Sequence, residues 1–140
     1  SSYIQSGNVI CETSISAKEL ARHIHQLILE KIGANLAIIV KEKSDLEKAI
    51  LQNPFPEELD SSRIHLVFTN SHISTERLTE VREMNFTDEI FAVGETCLYM
   101  YLPRDARIKK LNNNFLEKKL GTVATTRKLT IIKKLINRMD

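Results

Sequence analysis

Two threonines, an arginine and a lysine stand side by side near the end of the chain, at residues 125–128. An apolar pattern with helical spacing follows them, so Thr125 or Thr126 is predicted to cap a helix there. The free N–H groups and the dipole of a helix start favour an anion. Thr126 would add a hydroxyl and Arg127 a positive charge. The alternative is a plain N-cap followed by a solvated basic face.

Polar residues also interrupt the first strand pattern, which runs over residues 3–11. Gln5, Ser6 and Asn8 flank Gly7 where alternation would place apolar side chains. A glycine inside a strand pattern indicates a bulge or a close backbone approach. Gln5, Ser6 and Asn8 are therefore candidates to contact a ligand through neutral hydrogen bonds. The alternative is a bulge that its own side chains stabilise.

Positive charge is concentrated in the last part of the chain. Residues 104–140 carry 11 lysines and arginines against 3 acidic residues, whereas residues 1–103 carry 9 against 15. This asymmetry indicates an anionic partner, either a small molecule or a nucleic-acid backbone. Lys109 and Lys110, in a predicted loop, would steer such a ligand. Phe115 is the lone aromatic residue of the basic segment, so no platform for base stacking is expected.

Few residues have the spacing that catalysis or metal binding would need. His23 and His25 lie two apart on a predicted helix and share no face. No cysteine pair has the spacing of a zinc motif, and no glycine-rich phosphate loop or nucleophile-elbow serine is present. We therefore expect no metal, no cofactor and no catalytic residue. An enzyme would need a titratable base near Arg127, for which His65 and Glu12 are the candidates.

Length and composition predict one compact domain of 140 residues, either undivided or with two subdomains at about 1–70 and 71–140. The sequence is 42% hydrophobic and 27% charged, which is ordinary for a soluble globular protein. No apolar run has the length of a membrane span and no signal peptide opens the chain, so no membrane partner is expected. Cys11 and Cys97 are interpreted as reduced thiols, which favours a cytoplasmic location.

The elements that must position these residues alternate strand and helix before a closing hairpin and two helices. Ser16 and Ser44 each begin a capping-box pattern, and Gly33 and Gly121 each follow a helical pattern. This order predicts an α+β fold with layered sheets. The predicted strands cover residues 3–11, 36–40, 63–69, 88–93 and 96–102, and the predicted helices cover about 17–32, 44–52, 75–84, 112–120 and 126–139.

Two of the predicted helices carry an apolar stripe at a spacing of three and four residues, so each is expected to bury one face. The stripe of the first helix consists of Leu20, Ile24, Leu27, Ile28 and Ile32. The stripe of the last helix consists of Leu129, Ile132, Leu135, Ile136 and Met139.

The hexapeptide Tyr-Ile-Gln-Ser-Gly-Asn at residues 3–8 and the tetrapeptide Ala-Thr-Thr-Arg at residues 124–127 make the chain similar to a bacterial family. It resembles the domain-of-unknown-function family 1697 over essentially its whole length. The segments at residues 98–102 and 116–121 are also similar to that family. Members usually carry a strand–helix unit with a glycine-rich stretch before the hexapeptide, and continue with Asn-Trp where this chain has Lys128 and Leu129.

The resemblance implies two ferredoxin-like subdomains, with layered sheets and helices on one face, in a bacterial protein of no established activity. A sheet that lacks the family's opening strand would expose an edge, through which two copies could pair as a homodimer. The leading hypothesis is a non-enzymatic binding module for a phosphate-bearing anion, held by Gln5, Ser6, Asn8, Thr126 and Arg127. The alternatives are an enzyme acting on a small phosphorylated substrate and an interaction domain that associates through a sheet edge.

Overall fold

A computed structural model of the chain describes residues 2–5, 8–11, 14–33 and 38–139, the first of these by their backbone alone. A 3-10 turn at Ser61–Arg63 leads into the third strand. The strands are β1 (Ser2–Gln5), β2 (Asn8–Cys11), β3 (Ile64–Phe68), β4 (Ile90–Val93), β5 (Leu98–Tyr101) and β6 (Thr125–Lys128), and the helices are α1 (Ala17–Ile32), α2 (Lys43–Leu51), α3 (Thr75–Glu83), α4 (Asn113–Leu120) and α5 (Leu129–Arg138).

The main sheet has four strands in the order β4-β5-β3-β6, and every neighbouring pair is antiparallel. The chain runs β3-α3-β4-β5-α4-β6 through this sheet, which is the split β-α-β arrangement of ferredoxin-like units. The α+β prediction is therefore confirmed. The described residues contain one such unit, so duplication of it stays a prediction. The two-subdomain division also stays a prediction, although β3 and β6 share this sheet.

Helices cover both faces of the main sheet, whereas the sequence predicted helices on one face. Helices α3 and α4 pack against Val67, Leu98 and Met100 on one face. Helices α2 and α5 pack against the opposite face, where Leu66 and Tyr99 are fully buried. The prediction fails because β3 and β5 are central strands with apolar residues on both sides, and each face needs a cover.

Local signals placed most of the helix ends correctly. The Ser16 hydroxyl accepts from the backbone N–H of Glu19 at the start of α1, as predicted. Gly33 and Gly121 end α1 and α4 in the left-handed conformation, at φ angles of 79° and 67°. The N-cap residue of α2 is Glu42, two residues before the predicted cap Ser44.

The two strands predicted nearest the beginning of the chain differ from the structure. Residues 3–11 do not form one bulged strand; β1 and β2 pair as an antiparallel ribbon, with Gln5 opposite Asn8. Residues 38–40 are not in a strand, and residues 36 and 37 lie outside the described residues. Instead, the Asn70 side chain donates to the carbonyl of Ile38 and accepts from the N–H of Val40, as a neighbouring strand would.

Candidate anion-binding site

The Thr-Thr-Arg-Lys segment is the edge strand β6, not a helix start. It pairs antiparallel with β3, and Leu66 lies opposite Arg127. The predicted N-cap at Thr125 or Thr126 is therefore wrong. β-Branched threonines fit a pleated strand as well as a cap, and the pairing with β3 decides between the two. Helix α5 begins one residue later than this strand ends, with Lys128 as an N-cap residue whose side chain forms no capping bond.

The Arg127 side chain is half-buried and held by three neutral oxygens. Its Nε donates to Asn8 Oδ1 at 2.8 Å, which ties β6 to the ribbon formed by β1 and β2. Its Nη1 donates to Thr125 Oγ1 at 2.6 Å and to the carbonyl of Thr126 at 2.9 Å. Because the guanidinium is planar, these three bonds fix its plane and the direction in which Nη2 points.

No acidic group balances this guanidinium in the described part of the chain. The one ion pair found there joins Arg107 to Asp88, with 3.4 Å between Nε and Oδ2. Among the described residues, Arg127 Nη2 donates no hydrogen bond, so up to two N–H groups face away from the three fixing oxygens. The site therefore presents a partly desolvated positive charge with unused donors.

The structure brings together two of the predicted site residues, Asn8 and Arg127, although they are 119 positions apart in sequence. Ser6 lies outside the described residues. Gln5 is described by its backbone alone, which pairs with Asn8 in the register of the ribbon. Ligand binding by Gln5 and Ser6 thus stays a prediction. In the sequence both residues closely precede Asn8, which contacts Arg127.

Thr126 points to the opposite face of the main sheet from Arg127, because successive strand residues alternate. Its hydroxyl donates to Asn113 Oδ1 at 2.8 Å, and Asn113 Nδ2 donates to the carbonyl of Ala124 at 2.8 Å. Glu117 Oε2 accepts from the N–H of Ala124 at 2.9 Å. This network fastens β6 to α4. Thr126 reaches Arg127 through its backbone carbonyl, not through its hydroxyl.

The basic loop lies against α4, the face that carries Thr126. Buried Glu89 accepts from the backbone N–H of Lys110 at 2.7 Å and from that of Leu111 at 2.9 Å, which pins the loop to the start of β4. The Lys110 ammonium lies 6.0 Å from the ring centre of Phe115. Lys109 is exposed. Both lysines contribute to the field of the molecule from the far side of the sheet.

A cleft of about 290 Å³ opens at one end of the main sheet, and the sequence analysis did not identify it. Its wall combines the segment that follows β3, residues 69–73, with the turn between β4 and β5, residues 94–97, and with Lys41. We refer to it as the sheet-end cleft. Its residues lie in four separate parts of the sequence and form no motif.

The thiol in the wall of the sheet-end cleft is not a nucleophile at neutral pH. Burial raises the pKa of Cys97 to about 11. Hydrogen bonds with Tyr99 and Thr96, and to a smaller extent the Lys41 ammonium, oppose that rise only in part. A thiol with this pKa stays protonated near neutrality, so Cys97 acts as a small apolar residue. Burial likewise lowers the pKa of His65, which favours its neutral form.

Of the two candidate bases for an enzyme at Arg127, the structure describes His65. His65 precedes Leu66 in β3, so its side chain lies on the face opposite to Arg127, and Glu12 lies outside the described residues. The described residues include no group of three histidine, cysteine or acidic side chains that could hold a metal ion. Nor do they include a helix with the length and apolarity to cross a membrane.

Fold and site together define an α+β domain with one β-α-β-β-α-β sheet and an uncompensated arginine at its edge. Residues 1–99 match the family model described as a protein of unknown function (DUF1697), so the chain belongs to that family. The match includes the Tyr-Ile-Gln-Ser-Gly-Asn hexapeptide and ends before the Ala-Thr-Thr-Arg tetrapeptide. Searches of curated proteins and of solved structures found no match.

Proposed function

We propose that the protein is a binding module for an anionic, phosphate-bearing ligand, and that Arg127 is its central donor. The observation that carries this proposal is the half-buried guanidinium of Arg127, which neutral oxygens hold and no described acid balances. A positive charge that has lost part of its water shell and has no counter-ion is stabilised by an anion. Phosphate oxygens match the fork of the guanidinium.

Three fixed bonds prepare Arg127 for this role. A free arginine side chain loses rotamer freedom when it binds a ligand, and that loss opposes binding. Asn8, Thr125 and the carbonyl of Thr126 already hold the Arg127 plane, so less freedom remains to be lost. This favours direct contact between the ligand and Nη2, with Gln5 and Ser6 as further neutral donors.

Long-range attraction would come from the basic segment, to which Lys109 and Lys110 belong. These lysines would act on the ligand only through their electrostatic field, because they lie against the opposite face of the sheet. Such steering acts on the association rate and weakens within about 8–10 Å at physiological salt. The bacterial and cytoplasmic setting that the sequence indicates is part of the same proposal.

Isothermal titration calorimetry with inorganic phosphate, and with a short single-stranded DNA as a second ligand, tests the proposal. Replacing Arg127 with alanine should weaken phosphate binding by about tenfold or more, because a charge-assisted hydrogen bond contributes about 1.5–3 kcal/mol. Arg127→Lys should recover part of the loss, since lysine keeps the charge but not the planar fork. Binding should also weaken from low to high salt.

Arg82→Ala is the matched control, because Arg82 is an exposed arginine near the end of α3 and away from β6. It should leave phosphate affinity unchanged. Equal affinity in Arg127→Ala and Arg82→Ala, with both variants folded by circular dichroism, would contradict the proposal. Affinity that does not fall as salt rises would do so as well.

Association through a sheet edge or an exposed apolar patch is the second candidate function. Two observations support it. In the described part of the chain, β6 pairs only with β3, so its other edge has no neighbouring strand. In addition, α1, which follows the ribbon in sequence, exposes Leu27 and Ile32. Size-exclusion chromatography with light scattering should then report a homodimer that Ile32→Glu dissociates. A monomer at every concentration would contradict this candidate.

A further inference from the structure

The sheet-end cleft lies on the other side of β3 from β6 in strand order, at the turn between β4 and β5, and it is independent of the Arg127 site. Its volume of about 290 Å³ is at the lower end of the range of ligand pockets. Part of its wall is apolar and partly exposed, with Ile73 from the segment after β3 and Leu78 from α3. Val67 and Leu98 lie behind this wall, in the buried core. The size and this wall fit a molecule no larger than a small metabolite.

Two residues of opposite charge line the sheet-end cleft. Lys41 and Glu95 both line it, and no ion pair joins them in the described part of the chain. Asn70 bonds to the backbone of Ile38 and Val40, which holds the segment just before Lys41 in place. The cleft thus offers a cation and an anion at its rim and an apolar wall.

Unsatisfied polar atoms gather at the same turn. Within the described residues, the buried side-chain atoms without a hydrogen-bond partner are Gln52 Oε1 and Thr96 Oγ1. Thr96 lines the cleft, with the thiol of Cys97 as its weak polar neighbour. Gln52 Nε2 donates to Glu95 Oε2 at 3.2 Å, which places Gln52 behind the same turn. Because buried polar atoms normally have partners, Thr96 Oγ1 is a group that a polar ligand in the cleft would satisfy.

We propose that the sheet-end cleft binds a small zwitterion with an aliphatic body, which in chemical class is an aliphatic α-amino acid. Lys41 binds its carboxylate, and Glu95 binds its ammonium group. The hydroxyl of Thr96 supplies a hydrogen bond within the cleft, and Ile73 and Leu78 contact the aliphatic side chain. Each charged group of the ligand then meets a protein group of opposite sign.

The test uses the full chain labelled with ¹⁵N and three probes of similar shape: L-leucine, 4-methylpentanoate, which lacks the ammonium, and 3-methylbutylamine, which lacks the carboxylate. At about 10 mM, tenfold above a millimolar Kd, leucine should shift the amide signals of residues 69–73 and 94–97. Leucine should bind at least about fivefold more tightly than either probe that lacks a charge.

Substitutions test the contributions of Lys41 and Glu95 to leucine binding one at a time. Lys41→Met should weaken leucine binding about tenfold and Glu95→Gln should weaken it by several fold, while Lys48→Met and Glu47→Gln are matched controls on exposed positions of α2. The controls should bind like the unmodified chain. Thr96→Val, which keeps the shape and removes the hydroxyl, should weaken leucine binding without unfolding the protein.

The proposal is overturned if leucine at this concentration leaves the cleft signals unmoved. It is also overturned if 4-methylpentanoate binds as tightly as leucine, since the cleft would then be a simple anion site. Equal effects of Lys41→Met and Lys48→Met would have the same consequence. Arg127→Ala should leave the leucine shifts intact, so this result and the phosphate result are read separately.

Discussion

Helices α1 and α5 carry the same kind of apolar stripe and have opposite fates in the structure. In α5, Leu129 and Ile132 are each 2% exposed. In α1 no residue is fully buried: three members of the stripe, Leu20, Ile24 and Ile28, are partly buried, and Leu27 and Ile32 are 53% and 76% exposed. A stripe shows that a helix has a face to bury, and the surroundings decide whether that face is covered. The predicted burial of the α1 stripe therefore holds only in part for this chain.

Replacing a stripe residue in each helix should give the largest difference between them. Ile132→Ala leaves a cavity between α5 and the main sheet, so the free energy of unfolding should fall by about 2–5 kcal/mol. Leu27→Ala removes an exposed side chain and should cost less than about 1 kcal/mol. Urea denaturation measures both. Equal losses of unfolding free energy in the two variants would show that α1 is packed as closely as α5, and would contradict the difference between the two helices.

The two thiols sharpen the same contrast between the beginning of the chain and the main sheet. Cys11 is exposed, whereas Cys97 is buried with a pKa of about 11. At pH 8 a disulfide reagent such as Ellman's should therefore react with one thiol at least about 100-fold faster than with the other. Cys11→Ser should remove the fast phase, and Cys97→Ala should remove the slow one. Two fast phases would contradict the assigned burial.

The raised pKa of Cys97 also links stability to alkaline pH. A group whose pKa is higher in the folded state holds its proton more tightly there, so its contribution is complete below the unfolded pKa of about 8.5. That contribution is lost as pH rises toward about 11. Burial also raises the pKa of Tyr99, which acts in the same direction. The free energy of unfolding should fall between pH 9 and 11, and it should fall less steeply in Cys97→Ala than in the unmodified chain. Parallel pH curves for the two proteins would contradict this expectation.

The smallest expected effect concerns the bond that joins the ribbon to the main sheet. In a double-mutant cycle, Asn8→Ala and Arg127→Met should couple by about 1–2 kcal/mol, because their hydrogen bond involves a charged donor. Asn8→Ala with Asn114→Ala, an exposed position on α4, is the control and should couple by less than about 0.5 kcal/mol. Equal coupling in the two cycles would show that the ribbon does not depend on Arg127.

Sequence alone predicted the elements whose ends depend on neighbouring residues. The cap at Ser16 satisfies the backbone N–H of Glu19, three residues further on, and such a bond is local. The hairpin of β4 and β5 was also predicted, and the N–H of Gly94 donates to the carbonyl of Cys97 as its turn requires. These signals need no knowledge of the rest of the fold.

Features that depend on distant partners could not be predicted in this way. Strand β6 looks like a helix cap until β3 is beside it, and residues 38–40 look like a strand because nothing local shows that Asn70 will bond to them. The leading hypothesis places Asn8 and Arg127 in one site, but the geometry of their contact depends on the pairing of β6 with β3. The sheet-end cleft left no trace in the sequence for the same reason.

The most direct measurement follows the ¹H–¹⁵N signal of the Arg127 side-chain Nε, which its bond to Asn8 protects from exchange with water. Inorganic phosphate should shift this signal in a saturable way at low salt, and about 0.5 M salt should suppress the shift. The matching signal of Arg82 should stay in place. A phosphate titration that moves the signals of Lys109 and Lys110 while Arg127 Nε stays unmoved would contradict the account, because the anion would then bind on the opposite face of the sheet.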